Sequence, residues 1–95
     1  MMTKKDILEI LKELIINHDY KRMNLEYDDI HLSDTLMDDL GFDSLDVTEL
    51  SISLENKLKI QIHDVEVEKV MQQLDIEGLM NFLYDKYREA REQEV

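Results

Sequence analysis

The chain contains no proline and only two glycines, Gly41 and Gly78, among its 95 residues. Folds made of short β-strands depend on these two residue types in their tight turns, so such a fold is disfavoured. Helix interiors instead exclude both types, because glycine costs about 1 kcal/mol and proline about 3 kcal/mol relative to alanine there. The composition therefore predicts helices joined by few sharp turns.

Apolar residues recur at helical spacing in three stretches, of which the first covers roughly residues 3–18. Its apolar face consists of Ile7, Leu8, Leu11, Leu14 and Ile15. Thr3 and Asp6 precede this face with the spacing of a capping box. The second stretch, residues 44–58, has its apolar face at Val47, Leu50, Leu54 and Leu58.

Two further helices are predicted in the second half of the chain. Residues 64–70 suit a short helix with Asp64 as its N-cap. Asp75 suits the N-cap of a fourth helix, whose apolar face is Ile76, Leu79, Met80 and Leu83. We expect its polar tail, about residues 88–95, to fray. The predicted fold is all-α, a small four-helix bundle with three longer helices and one short one, in a single domain over residues 1–95.

The connection between the first two helices, residues 19–43, has no steady hydrophobic period. We expect it to be ordered by apolar side chains that pack inward, namely Leu25, Ile30, Leu36 and Leu40. Connections longer than about 12–15 residues without secondary structure are uncommon and often functional. The end of this connection, next to Ser44, is therefore a candidate site.

The charge of the chain restricts its partners. Eleven basic and 23 acidic residues give a formal net charge of −12, which disfavours binding to nucleic acids and anionic membranes. From Met23 to Asn56 there are ten acids and no Lys or Arg. A solvated helix face is one explanation, but such faces usually mix the two signs. A binding surface for basic proteins explains the run better.

Other features bound the setting. No apolar run approaches the roughly 20 residues that a membrane-spanning helix needs, so we expect no membrane insertion. The absence of cysteine fits a reducing compartment, and we expect a cytoplasmic protein. The three histidines, His18, His31 and His63, lie far apart in the sequence, and we predict no metal site.

Ser44 lies at the predicted start of the second helix, between Asp43 and Asp46. It could be an N-cap and nothing more. The sequence places no base beside it, and the flanking acids disfavour an alkoxide unless another enzyme supplies a base and a metal. A hydroxyl near a helix N-terminus does tolerate a phosphate group. Ser44 is therefore typical of a residue that is modified rather than one that catalyses.

The surroundings of Ser44 resemble the signature of the acyl carrier protein family. The resemblance rests on the run Asp39-Leu40-Gly41-Phe42-Asp43-Ser44-Leu45-Asp46, followed by Glu49-Leu50. It continues without gaps from about Leu36 to Val70. The resemblance implies a small carrier without catalytic activity, in which Ser44 receives phosphopantetheine from coenzyme A and holds acyl intermediates as thioesters.

The resemblance also implies roles for other residues. A docking surface would consist of Asp43, Leu45, Asp46, Glu49, Ile52 and Glu55. A cleft for the acyl chain would be lined by Leu36, Leu50, Leu54, Ile62, Val67, Val70 and Leu79, each of which also suits an ordinary core. The implied partners are a phosphopantetheinyl transferase and acyl-handling enzymes with basic docking surfaces, and we expect a monomer.

The pathway is left open by departures from the family pattern. Asn56, Lys57 and His63 replace the acids and the proline of many members, and the first connection is longer. Fatty acid biosynthesis and a specialised pathway with a polyketide-like or aminoacyl cargo both remain. An alternative of another class is an unmodified acidic adaptor that docks onto basic proteins. An enzyme is a third class, for which we find no nucleophile and base or metal set.

Overall fold

The computed structural model describes residues 1–18 and 26–92, and in these residues the protein is a bundle of helices. In chain order the helices are α1 (Lys4–His18), a 3₁₀ turn (Tyr27–Asp29), α2 (Ser44–Leu58), the short α3 (Asp64–Glu66) continued by a π-helical turn (Val67–Met71), and α4 (Ile76–Glu92). The described residues contain no β-strand, and the predicted fold class is confirmed.

The first helix begins where the capping pattern predicts. The backbone N–H of Thr3 donates to Oδ2 of Asp6 at 2.9 Å, and the N–H of Asp6 donates back to Oγ1 of Thr3 at 3.3 Å. These bonds satisfy backbone donors that have no partner within the helix. The residues that α1 buries completely are Ile7, Leu11 and Ile15. One apolar face therefore directs α1 onto the rest of the bundle.

A single hydrophobic core lies between the helices. Helix α1 packs against both α2 and α4, and α2 packs against the π-helical turn. The predicted apolar faces supply most of the core, which includes Val47, Leu50, Leu54, Leu58, Ile76, Leu79 and Leu83. Phe42 and Met71 are buried with them, with exposed fractions of 3% and 0%.

The end of α4 differs from the prediction. The helix continues to Glu92, well into the tail that was expected to fray from residue 88, and residues 93–95 lie outside the described part. Tyr87 is buried one helical turn beyond Leu83, and its hydroxyl accepts a hydrogen bond from the N–H of Met2 at 3.2 Å. This packing extends the apolar stripe of α4 and holds the polar segment in the helix.

The start of α3 also differs by one residue. His63, not Asp64, occupies the N-cap position, and its backbone N–H donates to Oε1 of Glu66 at 3.0 Å. Glu66 stands three residues after His63, which is the spacing of the acid in a capping box. The helix then widens, because the N–H of Gln72 donates to the carbonyl of Val67 at 3.1 Å, five residues back.

The connection before α2 is ordered in its described part. Ile30, Leu36 and Leu40 are buried as predicted, whereas Leu25 lies outside the described residues. Backbone bonds tie this segment to the start of α4, where the N–H of Ile76 donates to the carbonyl of Asp34 at 2.8 Å. Asp75 caps α4 as predicted, since its Oδ1 accepts the N–H of Gly78 at 2.8 Å.

Candidate functional site

Ser44 is the first residue of α2, and the N-cap is the preceding Asp43. The two acids around Ser44 bond to each other's backbone. Oδ1 of Asp43 accepts the N–H of Asp46 at 2.8 Å, and Oδ2 of Asp46 accepts the N–H of Asp43 at 3.0 Å. The interpretation of Ser44 as an N-cap is therefore wrong, because Asp43 already fills that role.

The chain reaches this helix start through a tight bend. Gly41 has a φ of 74°, which is a left-handed conformation that glycine adopts without steric cost. The next residue, Phe42, donates its N–H to the carbonyl of Leu36 at 2.8 Å, and its side chain is buried. Phe42 thus anchors the segment in the core and leaves Ser44 at the surface, two residues further on.

The hydroxyl of Ser44 is exposed at the amino end of α2. Among the described residues it has no hydrogen-bond partner, and the only bond of Ser44 outside the helix ladder is made by its carbonyl, which accepts from the Thr48 hydroxyl at 3.0 Å. The positive end of the helix dipole stabilises a phosphate at such a position. These features fit the attachment of a phosphate-linked group to Ser44.

The Ser44 cavity, a shallow depression of about 430 Å³, lies beside this hydroxyl. It is lined by Ser44, Leu45, Thr48, Asp64, Val67, Glu68 and Gln72, so it lies between α2 and the α3 region. Of the residues predicted for the acyl cleft, Val67 alone is in this lining. Val70 is partly buried, and the other predicted residues belong to the packed core, namely Leu36, Leu50, Leu54, Ile62 and Leu79.

The predicted docking surface divides into two groups. Leu45, Glu49 and Ile52 are exposed, with exposed fractions of 64% for Leu45 and 52% for Ile52. Asp43, Asp46 and Glu55 instead bond within the chain. Glu55, for example, accepts the backbone N–H of Ile62 through Oε2 at 2.9 Å, which secures the connection after α2.

His18, the last residue of α1, contacts the same surface. Its Nε2 lies 2.9 Å from Oδ1 of Asp46, and its Nδ1 lies 3.7 Å from Oε2 of Glu49. Its ring also packs on Phe42, with ring centroids 5.2 Å apart. The hydrogen bond from the Asp43 backbone, followed by that of His18, lowers the pKa of Asp46.

The same three side chains could hold a divalent cation. The potential ligand atoms of His18, Asp46 and Glu49 all lie within 4.8 Å of one another, and in the described residues no other group of this kind occurs. From the sequence alone we predict no metal site, because His18 lies far from the other two histidines along the chain. The contact with Asp46 spans 28 positions in the sequence, so no local pattern could reveal it.

The site also contains four residues that the sequence does not assign to it, namely Thr48, Asp64, Glu68 and Gln72. Each lines the Ser44 cavity. Thr48 lies one helical turn after Ser44, which is a signal that the sequence does contain. The other three belong to α3, to its π-helical turn and to the residue after that turn, and the turn packs against α2. No membrane-spanning candidate was found among the helices of the described residues.

Comparison with known proteins gives the same family as the motif around Ser44. Residues 21–83 match the family model described as "Phosphopantetheine attachment site". The chain is 31% identical over 85 residues to the acyl carrier protein of Petrotoga mobilis, covering 90% of this chain and 92% of that protein. It is 38% identical over 69 residues to the acyl carrier protein of Chlorobium phaeobacteroides, covering 73% and 83%.

The chain therefore belongs to the acyl carrier protein family, the phosphopantetheine-binding carriers. Its cofactor is a covalently attached phosphopantetheine, and like the family it is a carrier without catalytic activity of its own. Acyl carrier proteins in general interact with phosphopantetheinyl transferases and acyl-handling enzymes.

Proposed function

We propose that Ser44 is the attachment residue and that the protein carries acyl groups, in fatty acid biosynthesis or in a specialised related pathway. The observation that supports this most is the exposed Ser44 hydroxyl, which has no hydrogen-bond partner in the described residues and stands at the amino end of α2. A helix N-terminus accommodates the phosphate of a phosphopantetheine arm.

The roles of the chain's own residues follow from their positions. Asp43 and Asp46 hold the first turn of α2, so that the Ser44 hydroxyl points outward to an approaching transferase. The transferase would supply the base and the metal, because Ser44 has acids on both sides and no base bonds to it within residues 1–18 and 26–92. When bound, the arm supplies a thiol that holds the acyl group as a thioester.

The Ser44 cavity would shelter the arm and the start of a short acyl chain. A longer chain would have to enter between the side chains proposed for the cleft, Leu36, Leu50, Leu54, Ile62, Val67, Val70 and Leu79. Most of these are packed in the core, so entry requires α2 and the α3 region to separate. Cargo length would thus depend on how readily this packing opens.

The docking surface would bind enzymes with basic surfaces. Its exposed members combine apolar contact from Leu45 and Ile52 with the charge of Glu49. No Lys or Arg occurs from Met23 to Asn56, so the surface attracts bases over long range. We infer further that the protein is a cytoplasmic monomer and that residues 1–95 form one carrier domain.

Acyl loading tests the proposed function. The protein is incubated with magnesium, a broad-specificity phosphopantetheinyl transferase and octanoyl coenzyme A, and its intact mass is measured before and after treatment with hydroxylamine. We expect a gain of one octanoyl-phosphopantetheine group, of which hydroxylamine removes the acyl part. A folded protein whose mass never changes would favour the unmodified adaptor instead.

To identify the pathway, the protein's natural cargo has to be determined. Intact protein isolated from growing cells would carry straight acyl chains that differ by two-carbon steps if it serves fatty acid biosynthesis. A single other acyl or aminoacyl group would indicate a specialised pathway. Hydroxylamine release followed by mass analysis of the freed group distinguishes the two.

A further inference from the structure

We propose that His18 is a positioning residue for the attachment site: it fixes Asp46 and thereby the first turn of α2, so that Glu49 and not Asp46 provides the charge that partners recognise. The kinetic part of this inference rests on the proposed attachment at Ser44. The structural part, the fixing of the helix start, stands on the contacts alone.

Asp46 has both carboxylate oxygens engaged within the chain. Oδ2 accepts the N–H of Asp43 at 3.0 Å, and Oδ1 lies 2.9 Å from Nε2 of His18. The two bonds approach from different elements, the start of α2 and the end of α1. A carboxylate held from two sides loses most of its rotamer freedom, and a partner's base would have to compete with both bonds.

Glu49 is placed differently. Its side chain is 54% exposed, compared with 32% for Asp46, and its Oε2 is 3.7 Å from Nδ1 of His18. That separation is too long for a hydrogen bond. Glu49 is therefore available to an incoming Lys or Arg, although it stands only one helical turn from Asp46 and carries the same charge.

His18 is itself held in one orientation. Its ring packs on Phe42, which is buried and lies two residues before Ser44. His18 therefore contacts the chain on both sides of Ser44. Its ring packs on Phe42 before the serine, and its Nε2 bonds to Asp46 after it. The carboxyl end of α1 thus braces the segment that presents the hydroxyl.

Hydrogen exchange tests the structural part without any modification of the protein. In His18→Ala, the amide of Asp43 should exchange at least about fivefold faster than in the parent, because Asp46 is no longer held toward it. His31→Ala is the matched control, because the His31 side chain is 71% exposed and lies away from Asp46. Equal exchange at Asp43 in His18→Ala and His31→Ala would overturn the inference.

Transferase kinetics test the division between the two acids. Asp46→Asn and Glu49→Gln remove the same charge, but asparagine keeps an acceptor for Asp43 and a donor for His18. At low salt we expect Glu49→Gln to raise KM about fivefold, an effect that salt abolishes, and Asp46→Asn to stay within about twofold of the parent. Equal increases of KM in both variants would contradict the inference.

Conservative replacement separates positioning from general damage to the fold. Asp46→Ala and His18→Ala should lower kcat about fivefold with little change of KM, whereas His18→Gln, which retains a donor, should restore most of the rate. A loss in His18→Gln as large as in His18→Ala would overturn the inference. If the parent itself accepts no phosphopantetheine, the proposed attachment fails, and the exchange measurement still decides the role of His18.

Discussion

Asp43 and Asp46 each accept a hydrogen bond from the other's backbone N–H, at 2.8 and 3.0 Å, on either side of Ser44. The helix start is thus secured by the acids, and the serine between them takes no part in capping. The function proposed for Ser44 is in this way separated from the stability of the helix, which leads to the first prediction.

Asp43→Ala should lower the free energy of unfolding by about 1 kcal/mol, because it removes the side-chain acceptor of the N-cap. Ser44→Ala should change it by less than about 0.5 kcal/mol, as expected of an exposed residue with no special contact. Urea denaturation followed by circular dichroism measures both. A loss in Ser44→Ala equal to that in Asp43→Ala would show that the hydroxyl does cap the helix.

Acid should remove the contribution of Asp46 to stability. The hydrogen bond from Asp43 and that of His18 lower the pKa of Asp46. A carboxylate with a lowered pKa stabilises the fold above its unfolded value of about 3.9, and this contribution disappears as the pH falls through the folded value. The stability advantage of the parent over Asp46→Asn should therefore shrink as the pH falls below about 4. Urea titrations at a series of pH values would contradict this if the difference did not change.

Neutralising one acid in the run from Met23 to Asn56 should stabilise the protein at low salt. Asp38 is exposed, and its carboxylate makes no hydrogen bond or ion pair among the described residues, so Asp38→Asn removes charge and nothing else. Its melting temperature should exceed that of the parent at low salt and match it at high salt, because salt screens the repulsion. Glu89→Gln on α4, where both signs occur, is the control. No gain at low salt would mean that the acids do not repel one another appreciably.

Truncation of two nearby residues of α2 should affect the stability of the fold very differently. Leu54 is fully buried, so Leu54→Ala should destabilise the fold by about 2–5 kcal/mol. Ile52 is half exposed on the proposed docking surface, and Ile52→Ala should change stability by less than about 0.5 kcal/mol while weakening transferase binding. Denaturation and the transferase KM measure the two effects. A transferase KM unchanged by Ile52→Ala would remove Ile52 from the docking surface.

The sequence predicts this fold well because its helices have strong local signals. The bounds of α2 follow from its apolar period, and α1 and α4 begin at capping patterns that span only four residues. The predicted start of α3 is wrong by one residue. Both His63 and Asp64 stand shortly before Glu66, and only the backbone conformation shows that His63 is the N-cap. At α4, the polar composition conceals Tyr87, which is buried and whose hydroxyl bonds to the distant Met2.

The part of the candidate site that the sequence predicts is likewise the part with a local signal. Ser44 stands in a continuous motif, which identifies it without any structure. The sequence leaves open that Ser44 only caps α2, because Asp43 and Ser44 are both good N-cap residues. The reciprocal bonds between Asp43 and Asp46 show that Asp43 is the cap. The role of His18 depends on the packing of α1 against α2, and no local spacing carries that information.

The most direct test of the account is to locate the phosphopantetheine group. The protein and its Ser44→Ala variant are incubated with coenzyme A, magnesium and a broad-specificity phosphopantetheinyl transferase, and intact masses and peptide fragments are measured. We expect one added group in the parent, on the peptide that contains Ser44, and none in the variant. A folded parent that gains no group while the transferase modifies another carrier, or a group found on a different residue, would contradict it.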